Sequence, residues 1–202
     1  LTDTTYANYL HLDELLSLQR PMTPTGQQDL SDSERLFIVV HQASETLLSQ
    51  VLVDLRHIED GCCGQGCYAY RAERAVRLID SLDGQLTLLR RTLRPQDFLL
   101  FRDRFETASG LQSQQFGELF DLTDRLTAPD ATGLPVRHRQ LDALREAVQR
   151  WRRTHLELVE HMIGGMSGSG ETSGVRFLRD RLDGHEADGG CQVTAAGHRT
   201  RS

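Results

Sequence analysis

An all-α helical bundle is the fold this chain predicts, on three observations. Apolar residues recur at three- and four-residue spacing along most of its 202 residues. No segment shows the strict apolar–polar alternation of a half-buried strand. Proline and glycine clusters fall mostly at the joints between apolar stretches, where short loops would connect antiparallel helices.

The elements follow in order. Residues 6–18 (YANYLHLDELLSL) predict a short amphipathic helix, stopped by Pro21 and Pro24. Ser31 and Glu34 have capping-box spacing and open a helix over about 33–58. Its first turns, LFIVV, are apolar all round, the pattern of a buried helix. GCCGQG (61–66) is a loop. Val76, Leu78, Ile79, Leu82, Leu86 and Leu89 make the stripe of a second long helix over 68–92. Pro95 suits the start of a third element, 95–105. Residues 111–127 are helical, and TAPDATGLP (127–135) is a loop. A long helix over 137–163 ends at Gly164-Gly165, followed by the glycine–serine loop GGMSGSGETSG (164–174). A short helix occupies 174–182. From Gly184 onward periodicity is lost, so the single domain is placed at 1–183, with an N-terminal arm at 1–24 and a disordered tail at 184–202.

Composition excludes several function classes. Net charge is −6 and every basic residue counted as Lys or Arg is Arg. No basic field argues for nucleic acid or an anionic membrane. Without lysine there is neither a Schiff-base amine nor a P-loop lysine. No apolar run approaches the ~18 residues of a membrane helix. Cys62, Cys63 and Cys67 lie too close together to staple a fold, which suggests a reducing, cytoplasmic setting.

Four groups of residues can carry chemistry. Phe37, His41, Ser44, Glu45 and Leu48 share one helical face, as do Trp151, His155, Leu158, Val159 and Met162. Each histidine therefore points with apolar neighbours toward an interior. A buried imidazole without a partner costs ~1–3 kcal/mol, so each should have one. Either is a satisfied core histidine or a metal or cofactor ligand, and an apolar pocket with one axial imidazole is what a haem needs. In RPQDFLLFRDRFETASG (94–110), Phe98 and Arg102 share a face beside Phe101 and Phe105. Arg102 is either a carboxylate clamp or part of a surface cluster with Asp103 and Arg104. The loop 164–174 lacks dinucleotide-fingerprint spacing; it is either a linker or a lid rich in backbone N–H groups and hydroxyls. Cys62-Cys63-x-x-x-Cys67 lacks standard zinc spacing, and there is no C-x-x-C-H for covalent haem attachment.

Four stretches, in order, resemble the haem-dependent tryptophan 2,3-dioxygenase family: TYANYLHLDELLSLQRP, SERLFIVVHQASE, FRDRFETASGLQSQQF and WRRTHLELVEHMIGGMSGSGETSGVRFL. The resemblance covers roughly half the chain. It implies a helical bundle enclosing a b-type haem, with dioxygen as co-substrate and oxygen inserted at C2–C3 of the indole of tryptophan or a substituted tryptophan. By the same resemblance His155 is the proximal iron ligand, with Trp151 and Ser109 near the haem. His41 is the distal histidine facing the indole N–H, and Phe37 and Phe98 line the pocket. Arg102 holds the substrate carboxylate, and Ser169 replaces a loop threonine at the substrate's amino-acid end. Tyr6, Tyr9 and Leu10 belong to an arm that reaches a neighbouring subunit's site, so the resemblance implies a homo-oligomer, dimer or tetramer.

The chain also departs from the family pattern. Only 34 residues separate Phe116 from Trp151, where the family carries a longer helical insertion. Arg153 and Thr154 replace an Arg–aromatic pair, and Gly165-Met166-Ser167 replaces an aromatic, basic stretch. The cysteine loop and the tail do not resemble the family. These departures leave two alternatives beside ring-cleaving dioxygenation. One is monooxygenation of a tryptophan or indole analogue in secondary metabolism. The other is a non-catalytic helical ligand-binding or assembly module.

Overall fold

In the computed structural model, residues 4–61, 64–105, 112–128, 135–166 and 174–182 are described. Helices make up their regular structure, with no strand among them. They are α1 (Tyr6–Tyr9), α2 (Leu12–Leu16), α3 (Gln28–Glu59), α4 (Gln65–Thr92), α5 (Pro95–Arg102), α6 (Gln114–Thr127), α7 (Pro135–Ile163) and α8 (Val175–Leu182), with a 3-10 turn at Asp103–Phe105 after α5.

Four long helices close a ring, α3 against α4, α4 against α7, α7 against α6 and α6 against α3. Ion pairs give their directions. Arg56 and Arg125 join α3 to α6 at Glu118 and Glu59, so these two helices run the same way. Arg150–Asp80 and Arg90–Glu157 do the same for α7 and α4. The ring interior is filled by Leu48, Val51, Leu55, Ile79, Leu82, Leu119, Leu122 and Leu144, all essentially solvent-free. Burying each such side chain contributes roughly 1.5–3 kcal/mol, which is what holds the bundle closed. α5 lies across one end, touching both α3 and α7, and α8 packs on α7. Pro95 starts α5 as predicted, at a position that has no intrahelical N–H partner to lose.

The structure corrects three expectations. The arm is not one helix: His11 adopts a left-handed conformation (φ 51°) and splits it into α1 and α2. Ser31 and Glu34 do not form a capping box, because α3 begins earlier, at Gln28. Glu34 is instead buried, and its carboxylate accepts from the Met22 N–H (2.8 Å), the Thr23 N–H (2.8 Å) and the Thr23 hydroxyl (2.5 Å). The first turns of α3 are not buried all round either: Val40 is in the core, Leu36, Phe37 and Ile38 are half-buried, and Val39 is exposed.

An 18-residue window of α3 has mean hydropathy 1.4, long and apolar enough by composition to cross a membrane. Polar residues interspersed in that window break it into short apolar runs. The helix packs on α4, α5 and α6, with 28% of that window buried. The tail 184–202 lies outside the described residues.

Candidate functional site

The end of the ring crossed by α5 gathers the predicted side chains. The first half of α3 brings His41, the second half of α7 brings His155, and α5 brings Phe98 and Arg102. Ser33 Oγ donates to Asp97 Oδ2 (2.8 Å), fixing α5 on α3. Phe37 then sits among Phe98, Phe101 and Phe105, with ring centroids 5.6, 5.8 and 5.2 Å away. These rings, mostly tilted or edge-on to one another, form an apolar wall.

His41 lies against that wall, 3.9 Å from the Phe37 ring. Its Nδ1 is 2.8 Å from the Phe37 carbonyl. A carbonyl only accepts, so Nδ1 carries the proton and neutral His41 presents Nε2 as an acceptor. The expectation of a fully interior side chain needs correction. The ring is open on its surface, yet protein around it desolvates it, as in a recess. Burial pushes its pKa down, and the Phe37 carbonyl and Glu45 offset only part of this. At neutral pH His41 is therefore an uncharged hydrogen-bond acceptor.

His155 differs. Burial, then the nearby His41, pushes its pKa down to about 4. His155 therefore lies within electrostatic reach of His41. His155 is half-buried and stacks on Trp151 (5.2 Å, 4° between planes), which stacks on Phe116 (4.4 Å, 19°). Trp151 is buried and braces the imidazole from behind. Among the described residues the His155 ring makes no hydrogen bond, so the predicted polar partner is absent. What remains is a neutral imidazole lone pair, the form that binds a metal. No group of three or more His, Cys, Asp or Glu side chains able to hold a metal ion occurs among the described residues. The donor set fits a metal that brings its other ligands with it.

Arg102 is half-buried at the end of α5, one turn beyond Phe98. Tyr6, Tyr9 and Leu10 are 77%, 74% and 40% exposed, and α1 packs on α2 alone among the helices. Within one chain, then, α1 does not reach the histidines, although the arm's later residues Leu18 and Gln19 hydrogen-bond to Gln42 beside His41. Ser109 and Ser169 lie outside the described residues. Two supports escaped sequence reading. Gln115 Nε2 donates to the Glu45 carboxylate (2.7 Å) and carbonyl (3.1 Å), setting Glu45 one turn from His41. Phe116 forms the base of the Trp151–His155 stack, and its FxxxF pairing with Phe120 was the available signal.

A model of the tryptophan 2,3-dioxygenase family matches residues 2–126. The chain belongs to this family. Among curated relatives, the tryptophan 2,3-dioxygenase of Caulobacter vibrioides is 31% identical over 254 residues, covering 89% of this chain and 93% of its own length. That of Anaeromyxobacter sp. (strain K) is 28% identical over 246 residues, covering 88% and 90%. That of Anopheles gambiae is 38% identical over 120 residues, 55% of this chain and 30% of the relative. The alignments run longer than this chain, so it is shorter than the two bacterial family members inside the matched span. The family model stops in α6, before the α7 residues that carry Trp151 and His155.

Proposed function

We propose that this chain is a haem-dependent oxygenase that inserts oxygen from O2 into the indole ring of tryptophan. The observation that carries the reading is the pair His41 and His155. They lie within electrostatic reach of each other, one with its Nε2 left as an acceptor and the other with an imidazole lone pair that no hydrogen bond among the described residues uses. Membership of the family supplies the chemistry that such a pair suits.

His155 would hold the haem iron, its orientation fixed by stacking on Trp151. Haem bound there supplies the redox chemistry by which dioxygen reacts with the indole. Everything else falls to side chains of this chain. His41 accepts the indole N–H through Nε2, with its Nδ1–H anchored on Phe37 so that the ring cannot turn away. Phe37 and Phe98 make the apolar wall against which a flat indole packs. Arg102 pairs with the substrate carboxylate, a charge-assisted contact worth ~1.5–3 kcal/mol. Ser109 and Ser169 are assigned to the haem edge and to the substrate's amino-acid end. Tyr6, Tyr9 and Leu10 are too exposed to serve their own chain, which favours exchange of the arm between subunits of a homo-oligomer.

Haem reconstitution tests the reading. The expected outcome is a Soret band, consumption of O2 with tryptophan, and a product heavier by two oxygen atoms. His155→Ala should lose the haem-ligation spectrum. A product with one added oxygen would make this a monooxygenase. No Soret band would refute the enzyme reading.

A further inference from the structure

The opposite end of α3 carries a second cluster, far from His41. Asp54 is fully buried, and two guanidinium groups hold it. Arg71 donates to Oδ1 (2.8 Å), and Arg74 donates to Oδ2 (2.8 Å) and Oδ1 (2.5 Å). Burial raises the Asp54 carboxyl, but Arg74 and then Arg71 outweigh it, leaving its pKa below the usual carboxylate range. Two positive charges thus meet one negative. Arg74 spends its remaining contacts on Tyr70, at the phenol oxygen (3.1 Å) and over the ring (4.9 Å). Arg71 turns its Nε–H to Cys67 Sγ at 3.4 Å. His57 Nε2 lies 3.6 Å from the same sulfur. Cys67 is exposed and occupies the third residue of the 28-residue helix α4, where the helix end favours negative charge.

We propose that Cys67 is a thiolate at neutral pH and the site where small peroxides and other soft electrophiles modify this protein. The charges favour it: an ionised Cys67 adds a second anion beside Arg71 and Arg74, and His57, holding the thiol's proton, adds a cation against the sulfur. Each neighbour is of a kind that lowers a thiol's pKa, namely an imidazole that takes the proton, a guanidinium that donates to sulfur, and a helix N-terminus. Exposure admits a small reagent. The step balances simply. The Cys67 sulfur attacks one peroxide oxygen; an S–O bond forms and the O–O bond breaks. Sulfur loses two electrons and becomes a sulfenic acid, and the peroxide is reduced. The departing hydroxide takes up the proton that the thiol had given to His57 and leaves as water.

The test uses the full chain with Cys62, Cys63 and Cys191 changed to Ser. Iodoacetamide labelling of Cys67 is followed by mass spectrometry across pH. The expected rate profile reaches half its plateau at or below about pH 7, at least about 1.5 pH units under the ordinary thiol value of ~8.5, and a midpoint above that overturns the proposal. His57→Gln and Arg71→Met should each move the midpoint upward, and Arg71→Lys should restore part of the shift. Hydrogen peroxide should add one oxygen that a sulfenate-specific trap captures. A low midpoint that neither variant moves overturns the assigned cause. Circular dichroism checks that Arg71→Met, which also loosens Asp54, keeps its helices.

Discussion

Glu34→Ala is the substitution whose effect the structure fixes most closely. The Glu34 carboxylate accepts three hydrogen bonds from Met22 and Thr23. Their fates differ once it is removed. Met22 is 64% exposed, so water can replace the lost partner of its N–H at little cost. Thr23 is 5% exposed, and both its N–H and its hydroxyl would be left buried and unpaired. Each such orphan costs ~1–3 kcal/mol. Loss of the side chain's methylene packing adds to this, giving about 3–5 kcal/mol in all. Glu34→Gln keeps one acceptor but turns an amide N–H₂ toward donors, so about 2–3 kcal/mol is expected. Urea unfolding of both variants measures the totals, and amide exchange at Met22 and Thr23 locates them. A loss under about 0.5 kcal/mol for the alanine variant, or unchanged exchange at Thr23, would refute the reasoning. The clasp also ties the arm to α3, so arm residues should become cleavable by protease before the bundle does.

Other outcomes follow from the site. His155 has a pKa of about 4 when folded, against an ordinary 6.5, so the unfolded chain binds the extra proton between these values. The stability it confers is full above pH 6.5, falls as pH drops, and is gone below about pH 4. Relative to His155→Phe, the apoprotein should lose up to about 3 kcal/mol across that window, read from urea midpoints at several pH values; a pH-independent difference would count against the desolvated imidazole. Arg102→Leu should raise KM for tryptophan by roughly ten- to a hundred-fold while sparing indoles without a carboxylate. Equal losses for both would argue against the clamp. Leu144→Ala, at the centre of the ring, should cost about 2–5 kcal/mol in calorimetric or urea unfolding without moving the pH profile of activity.

Helix existence was legible because periodicity is a backbone property that each segment carries by itself. The stripe Ile79–Leu82–Leu86–Leu89 turned out buried, and Gly164 ends α7 at a positive φ of 56°. Element starts were less legible. Glu34 matched a capping spacing, but a carboxylate can satisfy any nearby N–H, and Thr23 from another segment won. His11 is of a type that tolerates the left-handed region, but the apolar pattern around it continues without a break. At the site, helical spacing paired His41 with Phe37 and His155 with Trp151, and these contacts are present. Their juxtaposition across two helices more than a hundred residues apart was not in the spacing; it entered through the resemblance. The Asp54–Arg71–Arg74 cluster was likewise hidden, since long-range charge pairing leaves no local period.

α3 is a single unbroken rod of 32 residues, about 48 Å long, with His41 near its middle and His57 about 24 Å further along, near its end. Every inserted residue would rotate all that follows by about 100° about the helix axis. The stretch between the two histidines is therefore locked in phase as well as in length. Adding one residue there would turn either His41 from α7 or Asp54 from its arginines, whereas adding seven would nearly restore both directions while shifting one site along the axis by about two turns. The number of residues between His41 and Asp54 is therefore set by the two clusters together.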